Sequence, residues 1–450
     1  MNDLIQTIRN IFKIPELRER ILTTLWMLLV YRLGTYVILP GIDSNALQSA
    51  FDAGSSSGGG LLDLFNAFLG GAFSRGSLFA LGIMPYISAS IVVQLLAAVV
   101  PSIQRLRMEG DSGTKKINQI TRLLTVVITL VQSVSYITYL QSQYPDASIG
   151  TGFFWFISIF LLTAGTLFLV WLGERITDKG IGNGTSLIIM IGIISGFPGA
   201  LINEFRSQSP MIFFFEVLAL GLVTMGVIAL TQATRRIPIN YARQMMGGGR
   251  QGAMMGKAPT QARQYIPLKM NATGVMPIIF AQAIMFLPTY LLKYLENDQT
   301  GMMSAVMGDY TSIWYNLFLI VLIVVFTYFY TAITVNPNEI ADQLKRNGGF
   351  IPGIKPGKKT AEYIDAILSK ITLPGAICLG LVAIMPAIAS AFGVSGVFSK
   401  FFGGTTILIM IGVVLDTLQQ IESYLLNRHY DGLMKTGRVK GRQKSGVVTS

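Results

Sequence analysis

Residues 79–96 read FALGIMPYISASIVVQLL, a run that is apolar enough to enter a lipid bilayer. It differs from an ordinary spanning helix because it carries Gly82, Pro85 and Gln94, together with two serines, where leucine is usual. Pro85 lacks a backbone N–H and disturbs the preceding turn, so the sequence predicts a kinked or interrupted helix. Such a break is tolerated at membrane depth only where protein or a water-filled cavity receives the freed backbone groups. We therefore expect this stretch to line a cavity.

The composition of the 450-residue chain is that of an integral membrane protein. Its residues are 51% hydrophobic and 13% charged, whereas soluble proteins carry about 25% charged residues. Successive apolar runs of about 20 residues have the length needed to cross the hydrocarbon core. We predict an all-α integral membrane protein with ten transmembrane helices, at residues 21–39, 77–98, 121–140, 153–172, 184–203, 211–231, 273–292, 313–334, 371–391 and 404–425.

The distribution of the 35 lysines and arginines indicates the orientation of these spans. Cationic side chains in short loops stay on the cytoplasmic side of a membrane. With both termini placed in the cytoplasm, all the cationic residues fall in cytoplasmic segments except Arg32, Arg75, Arg206, Lys293 and Lys400. The charge pattern therefore predicts cytoplasmic termini. Arg32, near the outer end of the first span, is expected to extend its side chain to the membrane interface.

The spans divide into two halves of five, and this division predicts the domain organisation. Residues 61–73 are amphipathic but too short to cross the bilayer, which favours an external half-helix. The predicted parts are a cytoplasmic amphipathic N-terminus at 1–20, a first half at 21–203, a second half at 204–425 with cytoplasmic loops at about 232–271 and 336–370, and a cytoplasmic tail at 426–450.

A short repeat supports the division into halves. The second span contains Gly82-Ile-Met-Pro85, and the seventh contains Gly274-Val-Met-Pro277. An isoleucine stands two residues after each proline, at Ile87 and Ile279. Matched Gly/Pro interruptions in corresponding helices are typical of internal repeats, with the functional site between them. We therefore predict two pseudo-symmetric five-helix halves.

The predicted spans are almost free of charge near their middles. Ion-coupled transporters usually place charged residues there, because such residues are costly and are retained for function. No catalytic group of His, Cys and carboxylate side chains can be assembled from the sequence, so we expect no enzyme activity, no cofactor and no metal. A neutral, aliphatic passage suits a gated conduit for extended polypeptide, since a narrow apolar ring excludes water and ions by dewetting. The alternative is a small-solute secondary transporter with broken helices at the repeat interface.

Two cytoplasmic loops have the features of contact surfaces. The loop at 232–271 contains seven Lys or Arg residues and no acidic residue. It is either a topology signal at the anionic lipid surface or a docking surface for an acidic partner, and both can hold. The loop at 336–370 contains the turn-rich run at 348–357, whose rigid tip is shaped for recognition.

Several motifs resemble those of the SecY family, whose members are the central subunits of the bacterial protein-conducting translocon. The resemblance covers nearly the whole chain. The motifs are VYRLGT at 30–35, the run at 79–96, GIGNG at 180–184, RRIPINY at 235–241 and GFIPGIKP at 349–356.

The resemblance implies an hourglass-shaped channel with a pore ring, an external plug and a lateral gate between the second and seventh spans. Thr185 stands at a ring position where family members commonly carry an aliphatic residue. The implied residues are Ile83, Ile87, Thr185, Ile189, Ile279 and Ile409 in the ring, Leu64, Phe65, Phe68, Leu69 and Phe73 in the plug, and Pro85, Ser88, Gln94, Gly274, Pro277 and Gln282 in the gate.

The resemblance also implies partners and a location. These are SecE and SecG, the SecA motor ATPase, the ribosome, the accessory SecDF/YidC proteins, membrane lipids and translocating signal-sequence polypeptides, at the bacterial inner membrane. Lys355 replaces an arginine that is typical of the family, which keeps the charge but loses the planar array of donors. The implied docking residues are Arg235, Arg236, Arg243, Lys355, Lys358 and Lys359.

Overall fold

The computed structural model describes residues 14–44, 46–49, 66, 69–143, 152–241, 264–271, 273–282, 285 and 311–436. Seven described helices are long and apolar enough to cross a membrane, which agrees with a multi-pass membrane protein. The helices are α1 (Pro15–Gly34), α2 (Met84–Val99), α3 (Pro101–Met108), α4 (Asp111–Gln143), α5 (Gly152–Lys179), α6 (Gly184–Ser207), α7 (Pro210–Gln232), α8 (276–282), α9 (Ile313–Thr334), α10 (Pro337–Arg346), α11 (Lys358–Ala391), α12 (Gly396–Ser399) and α13 (Gly404–Thr436).

Each predicted span contains a described helix. The seventh span is described only in part, through residue 285, so the count of ten spans stays a prediction. Helix α11 is longer than its predicted span, because it begins at Lys358 within the segment assigned to a cytoplasmic loop. The predicted helical membrane fold is confirmed.

Of the two alternatives predicted for the second span, a kinked or an interrupted helix, the structure shows the interruption, and Pro85 does not kink a helix. Helix α2 begins at Met84, so Pro85 lies in its first turn. The backbone N–H groups of a first turn have no partner within the helix, and a proline there removes no hydrogen bond. The residues before Met84 form turns, so the apolar run at 79–96 is helical only from Met84 onward.

The predicted repeat has a structural counterpart in the backbone. Gly82 and Gly274 both adopt left-handed conformations, with φ of 55° and 64°. In each copy the helix begins two residues later, at Met84 and at Met276. The motif Gly-x-Met-Pro therefore encodes a left-handed turn followed by a helix start, because glycine tolerates positive φ and proline suits the first turn.

Two of the hydrophobic clusters join helices from both sides of the centre. One joins α1, α2, α5, α6, α12 and α13, and it includes Phe398 and Ile409 from the second half. The other joins α7, α8, α9, α11 and α13 around the fully buried Ile278. A polar contact also links the end of α6 to the start of α12, since the buried carboxylate of Glu204 accepts hydrogen bonds from the hydroxyl of Ser395 and from its N–H at 3.2 Å.

The loops at 232–271 and 336–370 contribute strands to a small sheet that was not predicted from the sequence. Strands β1 (Thr234–Tyr241), β2 (Gln264–Lys269) and β3 (Gly349–Phe350) are antiparallel in the order β2-β1-β3. Ile237 and Ile239 alternate into an apolar cluster with residues of α10 and α11. The pairing of Asn240 with Phe350 joins the two loops that were predicted as separate contact surfaces.

Substitution of the two left-handed glycines by alanine should show how much the turn before α2 depends on close packing. In Gly274→Ala we expect only the cost of a left-handed alanine, about 1 kcal/mol, because no described atom lies within 4 Å of the new Cβ. In Gly82→Ala the new Cβ would overlap Leu69, and such overpacking adds about 1 to 3 kcal/mol. Equilibrium unfolding in detergent measures both. Equal losses in the two variants would contradict the packing of Leu69 against Gly82.

Candidate functional site

Four of the predicted ring isoleucines meet in one apolar cluster. Ile83 and Ile409 are buried, and Ile87 and Ile189 are partly buried against the same cluster. These side chains come from the start of α2, from α6 and from α13. Helix α2 places Ile83 and Ile87 one turn apart, and the N–H of Ile87 donates to the carbonyl of Ile83 at 3.1 Å. The cluster therefore brings together residues from both halves of the chain.

The space beside this cluster is small and apolar. A cavity of about 20 Å³ lies next to Ile83 and Leu69, which is room for about one water molecule. Leu69, from the predicted plug, is buried, and its Cδ2 lies 2.1 Å from the position of a Cβ on residue 82. The side chains around this cavity are all apolar or aromatic. The lining residues are Tyr31, Leu69, Gly82, Ile83, Met84, Leu169, Ile188 and Ile189.

Thr185, another predicted ring residue, interacts with the N-terminus of α6. Its hydroxyl donates to Oδ1 of Asn183 at 2.7 Å, and the same oxygen accepts the N–H groups of Thr185 and Ser186. Asn183 is the N-cap of α6. The methyl group of Thr185 lies beside Gly173 on α5, where an added Cβ would approach it to 3.0 Å. The hydroxyl is therefore satisfied locally.

Ile279, the sixth predicted ring residue, is half-buried on α8. Its neighbour Ile278 is fully buried and packs in the second-half cluster. In the described part of the chain, Ile279 does not join the cluster around Ile83. The ring assignment of Ile279 stays a prediction from the family resemblance.

A hydrogen bond crosses between the halves at the predicted gate. The hydroxyl of Tyr330 on α9 donates to Oε1 of Gln94 on α2 at 2.7 Å. The amide of Gln94 also donates to Oγ of Ser90 at 3.1 Å. The ring of Tyr330 lies 6.1 Å from that of Phe280 on α8, so α9 connects α2 to α8 through one side chain. The sequence analysis missed Tyr330, which nothing distinguishes from the other aromatic residues of its span.

The remaining predicted gate residues are arranged differently. Gln282 faces α13, because its Oε1 accepts from the hydroxyl of Thr405 at 3.4 Å. Pro85 and Pro277 are buried in the first turns of their helices, while Ser88 and Gly274 are half-buried. Among these polar positions, Gln94 is the one with a described contact across the two halves.

The predicted plug is described only at its end. Leu64, Phe65 and Phe68 lie outside the described residues, and Leu69 and Phe73 lie within them. The carbonyl of Phe73 accepts from the hydroxyl of Tyr136 on α4 at 2.9 Å, and the two rings meet edge to face at 4.8 Å. This end of the segment is therefore fixed to the first half.

The predicted docking residues lie on or next to the two loops that the β1–β3 pairing joins. Arg235 and Arg236 are exposed on β1, and Lys355, Lys358 and Lys359 are exposed around the start of α11. Arg243 lies outside the described residues. In the described ranges, no three His, Cys, Asp or Glu side chains are grouped as metal ligands would be.

Comparison with known families agrees with this arrangement. A family model described as SecY matches residues 77–418. The chain belongs to the SecY family.

Relatives support the assignment over the full length. The chain is 42% identical to the protein translocase subunit SecY of Streptomyces griseus, over 94% of this chain and 98% of the relative. It is 39% identical to the protein translocase subunit SecY of Aquifex aeolicus, over 95% and 99%.

Solved structures show the same fold. A protein-conducting channel matches with a TM-score of 0.64 and 17% identity, covering 93% of this chain and 95% of that one. Sec61 in a canine ribosome–channel complex matches with a TM-score of 0.61 and 16% identity, with the same coverage.

Removal of the hydroxyl at the gate should loosen the contact between α2 and α9. In Tyr330→Phe we expect a loss of about 1 kcal/mol, which is roughly a fivefold shift toward separated helices, because one hydrogen bond of a partly buried pair is removed. Spin labels at the exposed Val92 and Val325, in a Cys378→Ala background, report the distance between the helices.

The matched control is Tyr328→Phe on the same helix. The hydroxyl of Tyr328 donates to the carbonyl of Ser369 on α11, within the second half. Its loss should leave the distance distribution unchanged. A distribution in Tyr330→Phe identical to that of the unmodified chain would contradict the role of this hydrogen bond.

Proposed function

We propose that this chain is a passive, gated protein-conducting channel that moves secretory polypeptides across a membrane and releases membrane-protein segments sideways into it. The observation that carries the proposal is the closed apolar cluster formed by Ile83, Ile87, Ile189 and Ile409 between the two halves. Family membership supports it, because the relatives are protein translocase subunits.

The chemistry of the cluster suits a substrate of varied sequence. Aliphatic side chains form no hydrogen bonds with a passing polypeptide, so they do not hold any part of that polypeptide. When empty, a narrow apolar constriction excludes water and ions by dewetting. The contact of Leu69 with Gly82 adds a seal on the side assigned to the exterior.

Lateral release requires α2 to separate from α8 and α9. In the closed arrangement these helices are joined through Gln94, Tyr330 and Phe280. A signal sequence, which is an apolar helix, would enter between them and replace aromatic and aliphatic contacts by its own. Loss of a single hydrogen bond and of a few ring contacts is a small cost for a gate that must open reversibly.

The proposed partners follow from the exposed basic residues and from the family. Arg235, Arg236 and Lys355 lie on loops joined by the β1–β3 pairing, where a ribosome or the SecA motor would bind. Relatives of the same fold were solved with the ribosome. SecE, SecG and SecDF/YidC would assemble with the chain in the bacterial inner membrane, with both termini in the cytoplasm.

The channel is proposed to do no chemistry of its own, and the energy for translocation would come from the motor or from protein synthesis. A small-solute transporter, the alternative reading of the broken helices, is not favoured, because the relatives that match over nearly the full length are translocase subunits.

Photocrosslinking tests the path of the polypeptide. A photoreactive residue at Ile87 or Ile279 should form products with a secretory chain that is stalled in transit, because both positions are predicted to face the pore. The control is a photoreactive residue at Ile202 on α6. This side chain is exposed on the surface of the protein and should give no such products. Products from Ile202 but none from Ile87 or Ile279 would refute the proposed path.

Substitutions in the ring test the seal. In Ile87→Gly and Ile279→Asn we expect a higher ion conductance of the resting channel and weaker rejection of defective signal sequences, because an absent or polar side chain wets the constriction. Planar-bilayer conductance measures the first effect. Unchanged conductance in both variants, beside an unchanged Ile202→Asn control, would remove these residues from the ring.

A further inference from the structure

The loop between α5 and α6 is fixed to α1. Nη1 of Arg20 donates to the carbonyl of Gly180 at 3.2 Å, and Oγ1 of Thr24 accepts the N–H of Ile181 at 3.1 Å. Arg20 and Thr24 are four residues apart on α1, so both side chains lie on the face that meets the loop. Gly180 and Ile181 are buried, and a Cβ on Gly180 would overlap Oγ1 of Thr24. The loop therefore packs directly against the first helix of the first half.

The same loop is bonded to α13, which belongs to the second half. Oε1 of Gln420 accepts the N–H of Gly182 at 2.8 Å. A Cβ on Gly182 would lie 3.2 Å from Oγ1 of Thr417 on the same helix, so the loop backbone lies close against α13. One turn after Gln420, the ring centroid of Tyr424 lies 5.2 Å from Cζ of Arg20. Two contacts therefore join the halves at the ends of the helices that are predicted to face the cytoplasm.

The opposite end of α6 carries the chain connection between the two halves. Helix α6 ends at Ser207 and α7 begins at Pro210, so the connection is short. Within it, Nε2 of Gln208 donates to the carbonyl of Gly393 at 3.0 Å. Gly393 lies in the loop between α11 and α12, which also supplies the contact from α12 to the end of α6 described above. This end of α6 is therefore attached to the second half both by the chain and by hydrogen bonds.

Helix α6 spans the distance between these two attachments. Its 24 residues correspond to about 36 Å at about 1.5 Å per residue. Between its ends it packs on the second half through Phe197, whose ring lies 5.2 Å from that of Phe401. Two bodies that are attached at two points can move relative to each other only by rotation about the line through those points. This line runs along α6, whereas the gate residue Tyr330 is on α9, which packs in the cluster around Ile278.

The contacts of the loop differ in kind from the contact at the gate. Gly180, Ile181 and Gly182 are all bonded through their backbone groups, and all three residues are buried. The hydrogen bond between Gln94 and Tyr330 joins two side chains, which separate by rotation about their own single bonds. The loop is therefore built to stay in place when the contact at the gate breaks.

We propose that the loop at 180–183, held by Arg20, Gln420 and Tyr424, is a second pivot between the halves, at the end of α6 opposite the chain connection. The inference rests on the proposed lateral gate. With the chain connection as the only attachment, the halves could tilt apart at the far ends of their helices as well as separate at the gate. The second pivot prevents this tilt. The halves then turn about α6, so that α2 and α9 separate while the contacts along α6 remain.

Covalent links test which contacts must break during translocation. The full chain, with the subunits that co-purify, carries Cys378→Ala together with either Arg20→Cys and Tyr424→Cys or Gln94→Cys and Tyr330→Cys. A short bifunctional maleimide joins each pair, and the unlinked form of each variant is its control. The link across the pivot should leave the rate of translocation of a secretory chain unchanged, because the distance that it fixes does not alter. The link across the gate should stop translocation.

The two links distinguish a failure of this inference from a failure of the proposed function. If the link across the gate stops translocation and the link across the pivot stops it too, the pivot is refuted and the gate stands. If the link across the gate leaves translocation unchanged, the proposed gate is refuted and the pivot is refuted with it.

A second measurement tests whether the side chains of α13 hold the pivot. Spin labels at the exposed Lys179 and Leu418 report the distance across it, which should stay the same when a stalled secretory chain opens the channel. With Gln420→Ala and Tyr424→Ala combined, the separated population should rise about tenfold, because one hydrogen bond and one cation–π contact are lost. Gln419→Ala, at the adjacent exposed glutamine, is the matched control and should behave as the unmodified chain. An unchanged distance in the double variant with the stalled chain present would overturn the proposal.

Discussion

The packing of Leu69 against Gly82 determines the arrangement at the centre of this protein. Residue 82 must adopt a left-handed conformation for helix α2 to begin at Met84, and Leu69 occupies the space that its side chain would fill. The next residue, Ile83, then points into the cluster shared by α6 and α13. Because the segment that contains Leu69 and the turn that leads into the helix at Met84 share one contact, displacement of either removes support from the other.

An apolar centre also requires that nearby polar groups find partners elsewhere, since an unpaired polar group in an apolar environment is costly. Thr185 bonds to the N-cap Asn183, and Gln282 bonds to Thr405. Gln94 is satisfied by Ser90 and by Tyr330 on the opposite half. Two of these three groups are paired within their own half, and the third forms its bond across the gate. Of the three polar side chains, only Gln94 therefore forms a bond that must break when the gate opens.

Much of this arrangement could be predicted from the sequence. Apolar length predicted the helical membrane fold, and the repeated Gly-x-Met-Pro predicted matched interruptions in the second and seventh spans, though not that each interruption is a helix start. The sequence left open whether the helix at Pro85 is kinked or interrupted, because apolar residues precede the proline and hydropathy cannot distinguish a bent helix from a turn that leads into one. The structure shows the turn. The sheet was missed since Pro238 and Pro267 interrupt strands whose pattern is short. Tyr330 was missed because its partner, Gln94, is 236 residues away and only the fold brings them together.

The pairing of β1 with β3 fixes the spacing of the two basic loops. Any protein that binds one loop finds the other at a fixed distance. Because the two loops are already joined, binding the second one does not require ordering it. If a partner docks on both loops as proposed, the surface would act as a bivalent ligand, in which the second contact forms at a high effective concentration. Two individually weak contacts on Arg235 and Lys355 can then give a strong complex that still dissociates rapidly once either contact is released.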